Sequence, residues 1–250
     1  MTNPLSDSHA VLWRCVSRFH DWADRKFPQR IMREAASAGI TGLPEWRELK
    51  PEGPREAVQV ADAASIGAEL FEGVADDAPH VYLRTGGSTP HPWVLSLALS
   101  SYDHEAGRVN GYNIISITFP RAAFDTPRRS AVLLDCFTRT HSPADTEFAA
   151  MHPAARWERL RTSLYDVAVT YDPMFAGVFW ANFLGPGHVE QFDRDALRDL
   201  KAYRVEWVGT RGLFVVVAPD INDADTPAVE QEMQRLTEIF RRAHTHNVPS

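Results

Sequence analysis

Met174–Val189 reads Met-Phe-Ala-Gly-Val-Phe-Trp-Ala-Asn-Phe-Leu-Gly-Pro-Gly-His-Val, and this stretch decides what kind of sheet the chain builds. Between Met174 and Leu184 the single strongly polar residue is Asn182, and Gly185-Pro186-Gly187 then breaks the run. Adjacent Val178, Phe179 and Trp180 favour a strand buried on both faces over a helix. A lone Asn at the end of such a strand must find hydrogen-bond partners or cost about 1–3 kcal/mol. Asn182 is therefore expected to tie off the strand through neighbouring backbone. Trp180 and Phe183 would anchor the sheet, and Gly185-Pro186 would launch the next helix.

Outward from this stretch, Trp93–Ser100 alternates without exception, with Trp93, Leu95, Leu97 and Leu99 on one face. Tyr112–Phe119 supplies a partner strand across a connector holding Gly107 and Asn110-Gly111. His9–Phe19 and Thr146–Met151 read as further strands. Tyr203–Val208 and Leu213–Ala218 form a hairpin across Gly209–Gly212. Helices are expected over Asp21–Ala38 (disturbed by Pro28 and ended by Gly39), over Arg55–Gly73, from His152-Pro153 to about Val167, and over Asp193–Ala202. Leu43–Pro54 reads as a Pro-rich connector with an exposed Trp46, and Thr85–Pro90 as a turn. Asp-Thr-Pro occurs twice, at Asp125–Pro127 and Asp225–Pro227, each time as a helix start after two strands. The expected class is α+β: an antiparallel sheet with helices mainly on one face and two related strand-strand-helix units. Residues 1–250 read as one domain closed by a polar tail from His244 to Ser250.

The chain has 250 residues, a formal net charge of -7 and a pI of about 5.8. That balance argues against sequence-independent binding to nucleic acid or to anionic membrane, both of which require a basic surface. Of the 26 basic residues only Lys26, Lys50 and Lys201 are lysines. Cys15 and Cys136 form neither a disulfide framework nor a metal cluster. The polar start and the lack of a long apolar run predict a cytoplasmic protein.

Catalytic patterns are sparse. His-Glu-x-x-His, Gly-x-Ser-x-Gly and phosphate-binding Gly loops are missing from the sequence. His141 and His152 flank Asp145 and Glu147, and His244 with His246 make a His-x-His, but neither has the spacing of a strong metal motif. Glu48-Leu49-Lys50 matches the Glu-x-Lys of metal-dependent nucleases, yet that chemistry needs a strand, and Pro44 and Pro51 bracket it as a loop. No catalytic residue, cofactor or metal is expected. Two acidic stretches, Glu72–Asp77 and Asp220–Asp225, read as solvated loops or as patches that steer a basic partner.

Pro44-Glu45-Trp46, the strand pair with Asn113 and Pro120 around an apolar run, Trp180–Pro186, and the closing hairpin with Gly212 resemble the immunity protein 52 family of type VI secretion and polymorphic-toxin systems. The Trp-x-Asn-aromatic-Leu-Gly-Pro segment is the most specific of these features. The resemblance implies a non-enzymatic protein that binds and neutralises a cognate toxin or effector, often a nuclease, by covering its active site. Trp46 is then a candidate anchor, and Asp220, Asp223 and Asp225 are candidates for electrostatic steering. The competing readings are a hydrolase or nuclease with an unrecognised site, which would need a deep pocket with convergent titratable groups, and an oligomeric scaffold.

Overall fold

Strand β1 (Ala10–Ser17) sets the frame. It sends Val11, Trp13 and Cys15 to one face, here the front, and Leu12 and Arg14 to the back. The front three are buried and the back two half-buried. The structure is a computed structural model that describes residues 10–17, 26–50, 53–72, 80–100, 102–103, 108–109, 113–154, 177–198 and 200–244. Within these, ten strands form one sheet with β1 in its interior. The order is β11 (Arg204–Val208), β12 (Gly212–Val216), β10 (Ala181–Leu184), β9 (Thr146–Pro153), β1, β8 (Asn113–Pro120), β5 (Trp93–Ser100), β4 (His80–Gly87), β2 (Trp46–Glu48) and β3 (Glu56–Ala57). Every pairing is antiparallel. A separate short pair joins β6 (Tyr102–Asp103) to β7 (Arg108–Val109).

Helices α1 (Lys26–Ser37), α2 (Ile66–Leu70) and α3 (Pro127–Thr140) cover the front. There Trp13 packs against Phe137 at 5.6 Å between ring centres, and Phe137 and Phe183 both meet Phe214, at 5.9 and 4.7 Å. On the back, α4 (Pro186–Val189), α5 (Arg194–Arg198) and α6 (Pro227–Ala243) cover β9, β10 and β12 through Val189, Leu197, Met233, Leu236 and Phe240.

The α+β class and the antiparallel sheet are as the sequence predicts. The helices are shared between both faces, and the strands explain why. All eight residues of β9 and all of β10 and β12 are buried. Leu213 and Val215 therefore need cover on the back as Phe214 and Val216 do on the front.

Both Asp-Thr-Pro segments open helices with Thr at the N-cap and Pro at the first turn. Each follows a 3₁₀ turn, Arg121–Phe124 after β8 and Ile221–Asp223 after β12. Four antiparallel steps separate β8 from β12, so the two strands run the same way, while α3 and α6 lie on opposite faces. Apart from sheet twist, a two-fold axis lying in the sheet along the strands would generate that relation.

Three segments differ from the sequence reading. Leu43–Pro54 contains β2, because Trp46, Arg47 and Glu48 pair with Gly86, Thr85 and Arg84 of β4. The region 80–87 is a full strand despite Gly86-Gly87. Gly86 sits opposite Trp46, and a Cβ there would come within 2.9 Å of the indole, so the glycine makes room for the ring. Arg55–Gly73 is helical only over α2. The Asp62 carboxylate accepts the Ala64 and Ser65 N–H groups in a turn just before it, and residues 54–57 are exposed, with no apolar face to hold a helix. His152-Pro153, expected to lead into a helix, instead end β9, where they pair with Leu12 and Val11; the rest of that expected helix beyond residue 154 and the acidic residues 73–77 lie outside the described residues, as do 174–176 of the opening stretch and 245–250 of the tail. His244 itself is held by a bridge to Phe192.

Candidate functional site

The Trp180–Pro186 segment is wired into the sheet from both sides. Asn182 Oδ1 accepts the Phe179 N–H at 2.9 Å, and its Nδ2 donates to Phe179 O at 2.8 Å and to Val215 O at 3.1 Å. The side chain closes the segment that precedes its strand rather than the Gly-Pro turn that follows. Trp180 N–H donates to His152 Nδ1, and Trp180 O accepts the Val217 N–H. Gly185 N–H donates to Glu147 O, and a Cβ at position 185 would lie 2.1 Å from Thr146 O, so only glycine fits. Gly185 is the N-cap of α4 and Pro186 its first residue. The segment is a structural hub, with the Asn182 amide consumed by backbone.

The His–carboxylate cluster is dispersed as well. His141 is buried between Trp13, whose Nε1–H donates to His141 Nε2 at 2.9 Å, and Thr146 Oγ1, 3.0 Å from Nδ1. The accepting Nε2 fixes the neutral tautomer, with the proton on Nδ1. Burial, helped by the Arg30 charge, pulls its pKa down to about 3. Asp145 binds Arg30 and the Ser142 hydroxyl, and the buried Glu147 faces the buried His188 at 3.5 Å. Among the described residues no three His, Cys, Asp or Glu side chains converge as metal ligands. Glu48 ends β2, buried, across from Arg84 at 4.0 Å, whereas Lys50 points to solvent beyond the strand. Cys15 and Cys136 are free and buried, and burial pushes both thiols up, Cys136 to about 12. Among the described residues no helix is long and apolar enough to cross a membrane.

Trp46, Asp220, Asp223 and Asp225 all lie toward one end of the sheet. The registers require it: Val216, at the end of β12, falls in the same cross-strand row as Met151, Trp13, Ile117, Leu95, Thr85 and Arg47. The Asp220–Asp225 loop continues past that row, and Trp46 lies one residue beyond it. Side chains from distant parts of the chain knit this end into a polar rim. Ser88 donates to Glu45 from both its N–H and its hydroxyl. Arg129 lies 3.5 Å from His91 and donates to Asp125 at 3.3 Å. Arg121 binds Asn222 and Asp225, and Ser130 donates to Asp220 at 2.8 Å.

Within the rim the four sequence candidates divide by role. Asp220 is half-buried, caps the 3₁₀ turn through the Asn222 N–H and accepts a hydrogen bond from the Ser130 hydroxyl, so it is structural. Asp225 is exposed but shares its charge with Arg121. Asp223 is exposed and its carboxylate faces solvent. Trp46 is half-buried on an inner strand rather than on an exposed loop, with the Arg55 guanidinium 4.3 Å over its ring. Glu45, Arg121 and Arg129 join the rim unannounced by the sequence. Their partners lie 43, 104 and 4 positions away, and only the repeated Asp-Thr-Pro hints that two of these loops meet. Hydrogen bonds from Ser88 hold the Glu45 carboxyl below its ordinary range, so the rim keeps that negative charge.

No protein-family model matches this chain, and no curated protein matches it in sequence. Its fold is similar to that of a solved structure, Pseudomonas aeruginosa T6SS protein PA0821, with a TM-score of 0.62 at 12% identity. The match covers 96% of this chain and 78% of that one. At that identity the likeness is one of fold.

Proposed function

We propose that this protein is an immunity protein that binds a cognate type VI effector, a nuclease in the reading the resemblance favours, and neutralises it by occlusion from the cytoplasm. The observation that carries the proposal is the shared fold: 96% of this chain superposes on a T6SS protein. The Trp180–Pro186 resemblance points to the same kind of system. The loop rim at the Trp46–Asp225 end is the surface assigned to the effector. It combines an aromatic platform, Trp46 under Arg55, with the exposed carboxylates of Glu45, Asp125, Asp223 and Asp225. A nuclease is basic where it holds phosphates, and the carboxylates of Glu45 and Asp223, which no arginine pairs among the described residues, would face that basic site.

Asp223→Lys tests the surface cleanly, because that side chain carries no fold contact among the described residues. The variant should melt like the parent and associate with the effector about tenfold more slowly at low salt, the difference shrinking as salt rises. An unchanged association rate would remove the rim from the interface.

A further inference from the structure

Among the described residues the outer side of β11 is an edge of the sheet, its pairing being with β12 alone. Edges of this kind invite pairing with another chain unless their side chains repel it. The sequence Tyr203-Arg204-Val205-Glu206-Trp207 does not repel itself. Its chemistry reads the same in both directions about Val205: aromatic, charge, valine, opposite charge, aromatic. Tyr203 is 57% exposed, the greatest exposure of any large apolar side chain among the described residues. Val205 and Trp207 lie half-buried on the back face at the margin of the α6 cluster. Arg204 and Glu206 project to the front, where they pair with each other at 2.5 Å, both substantially exposed.

We propose that β11 pairs antiparallel with β11 of a second copy, on a two-fold axis through Val205, joining two ten-stranded sheets into one. In this register each Arg204 stands opposite the other copy's Glu206, and each Tyr203 opposite the other copy's Trp207. The two Val205 residues meet at the axis. The front then carries four charges of alternating sign, and the back a continuous Tyr–Trp–Val stripe. Cross-strand opposite-charge and aromatic pairs of this kind stabilise sheets, and like charges in the same places oppose pairing. The symmetry is isologous, so the contact closes at two copies instead of propagating. The other edge, β3, is Glu56-Ala57 and has no comparable self-complementarity.

The test is sedimentation of the full chain across roughly three decades of micromolar concentration. The wild-type protein should approach twice its 28.1 kDa mass. Arg204→Glu alone, or Glu206→Arg alone, sets like charges opposite each other twice and should weaken self-association about tenfold or more. An equimolar mixture of the two single variants should form mixed dimers, detected by capturing one tagged chain. The double variant Arg204→Glu/Glu206→Arg should dimerise with itself again. Thermal melts of each variant separate loss of pairing from loss of fold. A wild-type chain that stays monomeric, single variants that dimerise as well as the wild type, or a mixture that fails to pair would each overturn the proposal.

Discussion

Asn182 shows how one polar side chain can organise an apolar segment. Its amide satisfies the N–H and the carbonyl of Phe179 and a carbonyl of β12, all in the buried interior. Asn182→Ala would strand those groups and should lower stability by about 1–3 kcal/mol in urea titrations. Partner binding should survive, because the side chain faces no surface. A variant that melts like the parent but loses its partner would contradict that role. His141 is the second such residue. The fold holds it neutral with a pKa of about 3, whereas in the unfolded chain it titrates near the ordinary value of 6.5. Below that ordinary value the unfolded chain takes up a proton that the folded chain refuses. His141 therefore draws stability down as pH falls from about 6.5 towards 3, by up to about 1.4 kcal/mol per pH unit. His141→Gln should be less stable at pH 8 and should lose less between pH 6 and 4. Parallel pH profiles for the two proteins would show that His141 is not the sensor.

At the scale of elements, the two Asp-Thr-Pro starts look alike in sequence but differ in the bond they make. Thr126 Oγ1 accepts the Arg129 N–H and so caps α3. Thr226 Oγ1 instead donates to Asp223 O and leaves the α6 N-terminus without a side-chain cap. Thr126→Ala should cost about 1 kcal/mol and Thr226→Ala distinctly less, read from denaturation midpoints. Equal losses would mean the cap geometry is not what separates them. The same scale shows what was legible beforehand. Strands with strict alternation (β5) or a tight turn (β11–β12) could be read locally, as could helices with a cap and Pro. Strand β4 could not, because the need for glycine at 86 comes from the Trp93 carbonyl of the paired strand and the ring of Trp46, 40 positions away. Nor could the brevity of α2, which depends on Glu56-Ala57 pairing with Trp46-Arg47 as β3. The split of helices between two faces was visible only as burial of both faces of β12, a property of packing.

Across the whole molecule, arginine does work that lysine could not. Arg47 sends one Nη to the carbonyls of Glu69, Leu70 and Glu72 at the end of α2 while its Nε holds Glu56. Arg30 joins Thr140 O at the end of α3 to Asp145, and Arg235 joins Lys201 O to Glu232. A planar fork can bridge a carbonyl and a carboxylate, whereas a single ammonium cannot hold both in fixed directions. At these three positions a lysine would not replace the arginine. Asp220 is likewise committed to the fold, through Ser130 and the Asn222 N–H. The proposed interaction site was thus only partly readable. The sequence marks the acidic loop and Trp46, and the structure brings them to one end of the sheet with Glu45, Asp125 and Arg129.

The proposed immunity role is tested most directly by taking any candidate toxin gene that neighbours this one and expressing it in sensitive cells, with and without this chain. The account predicts that the chain restores growth, co-purifies with the effector and loses protective strength in Asp223→Lys. No bound effector and no rescue, with the chain folded and expressed, would contradict it.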